Sequence, residues 1–388
     1  MALHFGYCTN VHAGIRLDEI KAALVTHALD IKRRVSPEQS LPLGLWLSQS
    51  ATVEMQDKIK LETFRAWMRA SGFSVSTLNG FPAGNFHQPI VKRDVYRPTW
   101  ADPARLAYSN RLIELLAGLL GNSNRGTIST LPLGWCTDDF DPSFQKQCAA
   151  NLLQCANHAQ QHHLETGKHV RICIEPEPGC ALGTSAQLFE FFERHLLNSP
   201  ENRRLTDEYL GVCHDVCHAE VMWEGQGSAL NRYRTSGIVV GKVQISSALV
   251  AKFAAGSDTS RQRTIERLTE FCEARYLHQT TTTNCECFYE DLPIAVSAAK
   301  RLGEWRVHFH VPIFASALGE GLHTTQPAIT ECLRELWSER KKIDWEVETY
   351  AWNVLPEHLR VESVSEGIAR EMNWFKDLWE RTQMELGD

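Results

Sequence analysis

Short β-rich runs closed by Gly, Pro, Asn or Ser alternate along this chain with amphipathic stretches of helical spacing. Repeated at intervals of about 25 to 50 residues, that alternation is what βα units on a parallel sheet require. The strand candidates are 4–10, 43–48, 74–79, 127–131, 170–175, 210–215, 239–246, 306–311 and 345–351. Helix patterns fall at 17–31, 60–70, 104–120, 144–165, 185–197, 262–274, 293–302, 327–340 and 366–386. Eight such units close a (β/α)8 TIM barrel, and 388 residues suit one with loop insertions. The ninth strand candidate is one too many. The misfit belongs in 247–310, which also holds β-rich runs at 276–283 and 287–289. A doubly wound open sheet is the rival, but Asn10-Val11-His12 follows the first strand where that fold places a Gly-rich turn. No repeat, low-complexity tract or Pro/Gly/Ser linker divides the chain, so residues 1–388 read as a single barrel domain. The long, Pro- and aromatic-bearing segment 80–100 reads as an active-site loop.

Composition narrows the partners. At 43% hydrophobic and 22% charged the chain is globular rather than disordered. The net charge is -7 with no basic block, which argues against nucleic acid. Twelve cysteines are scattered and form no pair of C-x-x-C knuckles, so a zinc ribbon is not expected. No apolar run reaches the roughly 18 residues of a membrane span, and the first residues do not pattern as a signal peptide. A cytoplasmic location with reduced thiols is the expectation.

In a barrel, chemistry sits where strands end at their C-terminal side. The fifth strand candidate ends at Glu175-Pro-Glu177, which places carboxylates at the mouth; a salt-bridged loop Glu is the bland alternative. The sixth ends in Asp215-Val-Cys-His218, and a D-x-x-H pair can converge on one ion. The alternative there is an Asp capping the next helix beside a core His. Lys242, Gln244 and Ser246 share a face of the seventh strand, where an inward Lys is costly unless paired. His308 and His310 share a face of another strand, either as ligands or as hydrogen-bonded core imidazoles. Glu346 and Glu348 share a face of the last, which needs a cation or a proton nearby. Taken in order these are hard ligands gathered at one rim, where a divalent ion can polarise a carbonyl or hydroxyl while a carboxylate or Lys moves the proton. Asn10, His12, Asn79, His87, His308 and Trp352 lie near the same strand ends and are assigned to the substrate; His87 is also a candidate ligand for a second metal.

Several blocks resemble the EboE family of metabolite traffic proteins: the opening Gly6-Tyr-Cys-Thr-Asn10-Val-His12, Asn79-Gly-Phe-Pro82, Val91-Lys-Arg-Asp-Val-Tyr-Arg-Pro98, His308-Phe-His310-Val-Pro312 and Glu346-Val-Glu348 running on to Pro356. The resemblance spans nearly the whole chain. It implies a xylose-isomerase-like barrel, the group of sugar isomerases, ketose epimerases and endonuclease IV, and a role in processing or export of secondary-metabolite precursors. The superfamily's metal pattern then falls on Glu175, Asp215, His218 and Glu348. Gln244 stands where that pattern has a His, so either its carbonyl oxygen ligates or His310 takes over. A late acidic-x-His pair in endonuclease IV is similar in position to His308-x-His310, which implies more than one metal.

The expected protein is a metal-dependent isomerase or epimerase acting on a sugar, sugar phosphate or cyclitol-like metabolite, with Mn, Zn, Co, Mg or Fe as cofactor. Glu175, Asp215, His218, Gln244, His310 and Glu348 are its metal residues, and Glu177, Lys242 and Glu346 its catalytic ones. A non-catalytic metabolite-binding barrel and a metal-assisted phosphoester hydrolase are the alternatives. Protein partners of the same pathway and a homo-oligomer stay open at this point.

Overall fold

In a computed structural model, which describes residues 3–136, 142–253 and 258–387, eight parallel strands close into a barrel. They are β1 Phe5–Cys8, β2 Leu41–Trp46, β3 Phe73–Asn79, β4 Arg125–Thr130, β5 His169–Ile174, β6 Leu210–Asp215, β7 Val240–Ile245 and, after six further strands, β14 Asp344–Val347. The barrel closes between β1 and β14, with Phe5 opposite Trp345 and Tyr7 opposite Val347. Helices packed outside the wall complete a TIM barrel.

Alternation along each strand sorts the side chains. On β14, Trp345 turns outward and packs edge-on to Trp379 of the C-terminal helix Val364–Leu386. Glu346 turns inward. Its carboxylate fits only because β2 carries Gly44: a Cβ there would stand 1.4 Å from Glu346 Oε2. Lys242 and Gln244 of β7 reach across the lumen to Asn79 of β3, so the middle of this barrel is a polar layer rather than a purely apolar one.

The chain leaves the barrel after β7 and returns at β14. Between them it builds a second, antiparallel sheet of six strands, ordered β10-β9-β11-β8-β13-β12. These are β8 Ala248–Phe253, β9 Thr280–Thr282, β10 Phe288–Tyr289, β11 Gly303–His310, β12 Ala317–Gly319 and β13 Leu322–Thr324. The surplus strand candidate at 306–311 is β11, outside the barrel wall. The helix Gln326–Glu335 then leads back toward the last barrel strand. Because only two residues separate the end of β7 from the start of β8, the inserted sheet stands at the barrel's C-terminal mouth. Its register breaks between Val307 and His310 of β11, an irregularity of the kind that re-aims side chains at functional rims.

Four helices were not marked in the sequence: Gln49–Glu54, Pro200–Tyr209, Val216–Val221 and Gln226–Thr235. Pro200–Tyr209 buries only Thr206 and Tyr209 and is set by its Ser199 cap and Pro200. Gln226–Thr235 starts after Gly225. No helix among the described residues is long and apolar enough to cross a membrane.

Candidate metal centre

Residues that end or follow β1, β3, β5, β6 and β14 meet those of β11 in one buried pocket. Glu175 follows β5 directly, and its N–H donates to Thr130 O at 2.9 Å, which pins the segment to β4. Asp215 ends β6 and does cap the short helix Val216–Val221: Oδ1 accepts from the His218 N–H and from Ser246 Oγ, each at 2.8 Å. Capping uses only that oxygen. Oδ2 is buried and has no hydrogen-bond partner. The helix cap and the ligand, alternatives in the sequence, are therefore compatible on one side chain. Glu348 follows β14, and its Oε1 accepts from Asn10 Nδ2 at 2.7 Å.

The histidines are oriented by their other ring nitrogens. His218 Nδ1 lies 3.0 Å from Pro176 O, and His310 Nδ1 lies 2.9 Å from Glu348 O. A carbonyl only accepts, so each Nδ1 carries the hydrogen. His308 Nδ1 meets Gln279 Oε1 at 2.8 Å, and Gln279 Nε2 is engaged by Tyr96 Oη and Pro178 O. His308 therefore also carries its hydrogen on Nδ1. In the neutral rings, that leaves each Nε2 as the acceptor. The Nε2 atoms of His218 and His308 face each other at 3.0 Å, and that of His310 lies 3.9 Å from the unpartnered Asp215 Oδ2. Burial, then the neighbouring imidazoles, keeps His308 well below its ordinary value; His310 is pushed down to about 4, chiefly by burial. Ring acceptors and an unpartnered carboxylate oxygen face one another here, so the arrangement asks for a cation.

The carboxylates make the same demand. Glu175 and Glu348 are raised, first by burial and then by nearby carboxylates. Glu177 is pushed up to about 6 by burial, against the pull of His218 and the hydrogen bond from Tyr96. Ligand-capable atoms lie within 4.8 Å of one another in four overlapping groups: Glu175–Asp215–Glu348, Asp215–His218–His310, Glu177–His218–His308 and Cys217–His308–His310. Unpartnered acceptors and mixed oxygen and nitrogen donors suit a divalent transition ion. The donor set thus fits the group that the sequence pattern implies.

Beneath the centre lies the polar layer of the lumen. Lys242 Nζ lies 2.9 Å from Asn79 Oδ1 and 3.4 Å from Glu346 Oε2, with both charged groups fully buried. Burial opposes the charge on Lys242, but Glu346 and other anionic neighbours outweigh it and raise the ammonium above its ordinary value. Gln244 donates to Asn79 Oδ1 at 3.0 Å and leaves its own Oε1 unpartnered. His310 belongs to two of the four ligand groups.

The pocket above holds about 60 Å³, room for a few waters. Asn10, Asn79, Glu175, Glu177, His218, His308, His310 and Glu348 line it; Lys242, Gln244 and Glu346 lie below. Three proposed substrate residues stand apart from the lining. His87 donates from Nε2 to Asn10 O at 2.7 Å and so braces the rim from behind. His12 stacks on His27 and pairs with Tyr7 Oη. Trp352 donates to Glu371 Oε2 at 2.8 Å, beside the C-terminal helix. Sequence reasoning missed Tyr96, Gln279 and Cys217. Tyr96 falls in the 80–100 loop, which contributes Phe81, Pro82, Phe86, Lys92, Val95 and Tyr96 to the pocket, but no pattern marked the residue itself. Gln279 acts through His308, and only the β9–β11 pairing brings the two together.

The barrel is shared with solved structures at low identity. An L-ribulose 3-epimerase matches with 12% identity and TM-score 0.53, covering 98% of this chain and 96% of its own. A D-tagatose 3-epimerase-like protein matches with 11% identity and TM-score 0.52, covering 99% and 100%. A xylose isomerase-like TIM barrel protein from Mycobacterium smegmatis, in complex with magnesium, matches with 10% identity and TM-score 0.55, covering 98% and 99%. No family model and no curated protein matches the chain. The fold is therefore a xylose-isomerase-like TIM barrel.

Proposed function

We propose that this chain is a divalent-metal-dependent isomerase or epimerase of a sugar- or cyclitol-like molecule. One observation carries the reading: carboxyl and imidazole ligand atoms that end or follow β5, β6 and β14 or stand on β11 converge, buried, at the barrel mouth, with Asp215 Oδ2, Glu177 Oε2 and His310 Nε2 left without a hydrogen-bond partner. A bound ion would polarise a substrate carbonyl or hydroxyl. Glu175, Asp215 and Glu348 offer it oxygen, and His218 and His310 nitrogen. Glu177 is the proton carrier: Tyr96 Oη fixes its Oε1 at 2.7 Å, while Oε2 is left without a partner in the pocket. Lys242 and Glu346 act from below, holding Asn79, which donates to Glu346 Oε1 at 2.7 Å. Two of the similar structures are, by name, an epimerase and an epimerase-like protein, which agrees with this chemistry. The EboE resemblance extends the reading to precursor processing or traffic, and that extension rests on the sequence blocks alone.

The test is elemental analysis of protein purified without chelator, followed by hydrogen exchange from D2O into free ketoses and cyclitols. About one or two equivalents of ion are expected, with exchange at the carbon beside the carbonyl. Failure to take up any ion after soaking overturns the proposal. Metal-assisted phosphoester hydrolysis is a second reading, favoured by the Glu177–His218–His308 group as a second ion place. Phosphatase activity requiring two ions would select it. Ligand binding with no turnover would select the non-catalytic barrel.

A further inference from the structure

The pocket also constrains the part of the ligand that does not react, and this step rests on the metal-centred reading above only for where the reacting end sits. Among the described residues, the buried polar side-chain atoms on the pocket wall that lack a partner are all acceptors: Asn10 Oδ1, Glu177 Oε2 and His310 Nε2. Such atoms are satisfied by hydroxyl donors or cations and cannot receive a phosphate, which at neutral pH offers acceptors almost exclusively. Lys92 is the one Lys or Arg on that wall among the described residues. Its ammonium is committed, to Asp291 Oδ2 and Tyr276 O at 2.6 Å each and to Glu273 O at 3.4 Å. Three acceptors use up its three hydrogens. Glu175, Glu177 and Glu348 line the wall with Asp215 behind them, so a phosphate there would meet carboxyl groups rather than free cationic donors.

An aromatic collar also lines the pocket: Phe81, Phe86, Tyr96 and Tyr276 belong to its wall. The two tyrosine hydroxyls are turned away to protein acceptors, Tyr96 to Glu177 Oε1 at 2.7 Å and Tyr276 to Phe86 O at 3.2 Å. Their rings therefore meet a ligand with their faces and edges, the surface that binds apolar groups.

We propose that the pocket takes an uncharged, unphosphorylated polyol or hydroxycarbonyl compound bearing an apolar substituent: hydroxyls toward the metal centre, the apolar group in the aromatic collar. Sugar phosphates are excluded.

Ligand-observed NMR with three small probes tests this on the full chain, both metal-loaded and metal-free. Glycerol is the reference, glycerol 3-phosphate adds the charge, and 1-phenylethane-1,2-diol adds the apolar group. The phenyl diol is expected to bind about tenfold more tightly than glycerol, and the phosphate about tenfold more weakly. Val95→Lys, which places a free cation on the wall, should raise affinity for the phosphate above that of the unaltered protein. Phe86→Leu should narrow the phenyl preference without changing metal content. Tighter binding of the phosphate than of glycerol by the unaltered protein overturns the proposal, as does absence of phenyl diol binding at millimolar concentrations. Metal analysis run alongside separates the two readings: loss of the ion site sinks the metal-centred function, while the ligand ranking in metal-free protein still decides the substrate class.

Discussion

At the scale of single residues, the buried charges carry the sharpest expectations. Lys242 and Glu346 are each fully buried and paired. Removing one partner strands the other in a low-dielectric lumen, so Lys242→Met should cost about 3–5 kcal/mol, while Lys242→Met with Glu346→Gln should recover much of it. Urea unfolding of the two single variants and the double variant measures the coupling, and additive losses would show that the pair does not interact. Glu371 makes a different prediction. It accepts from Thr349 Oγ1 at 2.6 Å, Trp352 Nε1 at 2.8 Å and the Ile313 N–H at 3.0 Å. Burial still outweighs those donors and raises it to about 7 from an ordinary 4.5. The folded chain then holds a proton that the unfolded chain releases, so this contribution to stability is complete below pH 4.5 and is lost as pH rises through 7. It amounts to roughly 3 kcal/mol. Unfolding midpoints of the unaltered protein should fall relative to those of Glu371→Gln across that window. A constant difference would mean that the three donors keep Glu371 ionised throughout.

At the scale of elements, the site divides into what a strand end announces and what only the inserted sheet supplies. Glu175, Asp215 and Glu348 were legible because a carboxylate just after a β-rich run has few places to go except the mouth. Gln244 was legible as a departure but not as a consequence; its carbonyl stays unpartnered while His310, from β11, stands beside Asp215. The inserted sheet was legible only in pieces, as the β-rich runs 276–283, 287–289 and 306–311, and its β8 side was opaque for a physical reason. Its strand β8 is a short, largely buried apolar run, which periodicity cannot tell from a buried helix segment. Without β8 and β9, neither the position of His308 nor its support by Gln279 follows from spacing. That support is testable. Gln279→Leu removes the acceptor that holds His308 on one tautomer and should weaken ion binding about 10- to 100-fold, leaving the ligands intact. Competition with a chromophoric chelator reads the affinity, and an unchanged value would mean that His308 takes no part.

At the scale of the whole molecule, barrel class and topology were legible because alternation repeats over hundreds of residues, and a local misreading of one strand does not disturb the count of βα units. The polar lumen was less so, since Gly44 and Glu346 lie on strands far apart in sequence and meet only when the barrel closes. Closure also makes the centre a global fastener. Glu175, Asp215, His310 and Glu348 come from β5, β6, the inserted sheet and β14, so an ion shared among them couples segments that unfolding would separate. An ion that binds only the folded chain stabilises it by about 2.7 kcal/mol at a hundredfold excess over its dissociation constant. Melting temperature should therefore rise with added divalent ion and fall with chelator. Asp215→Asn is the discriminating variant, because an amide oxygen can still cap the helix Val216–Val221 while the charge aimed at the ion is gone. Its metal-free form should melt close to the unaltered metal-free protein, yet gain far less from the ion. If it gains equally, Asp215 serves the helix alone, and the ion, wherever it binds, does not tie β6 to the rest of the barrel.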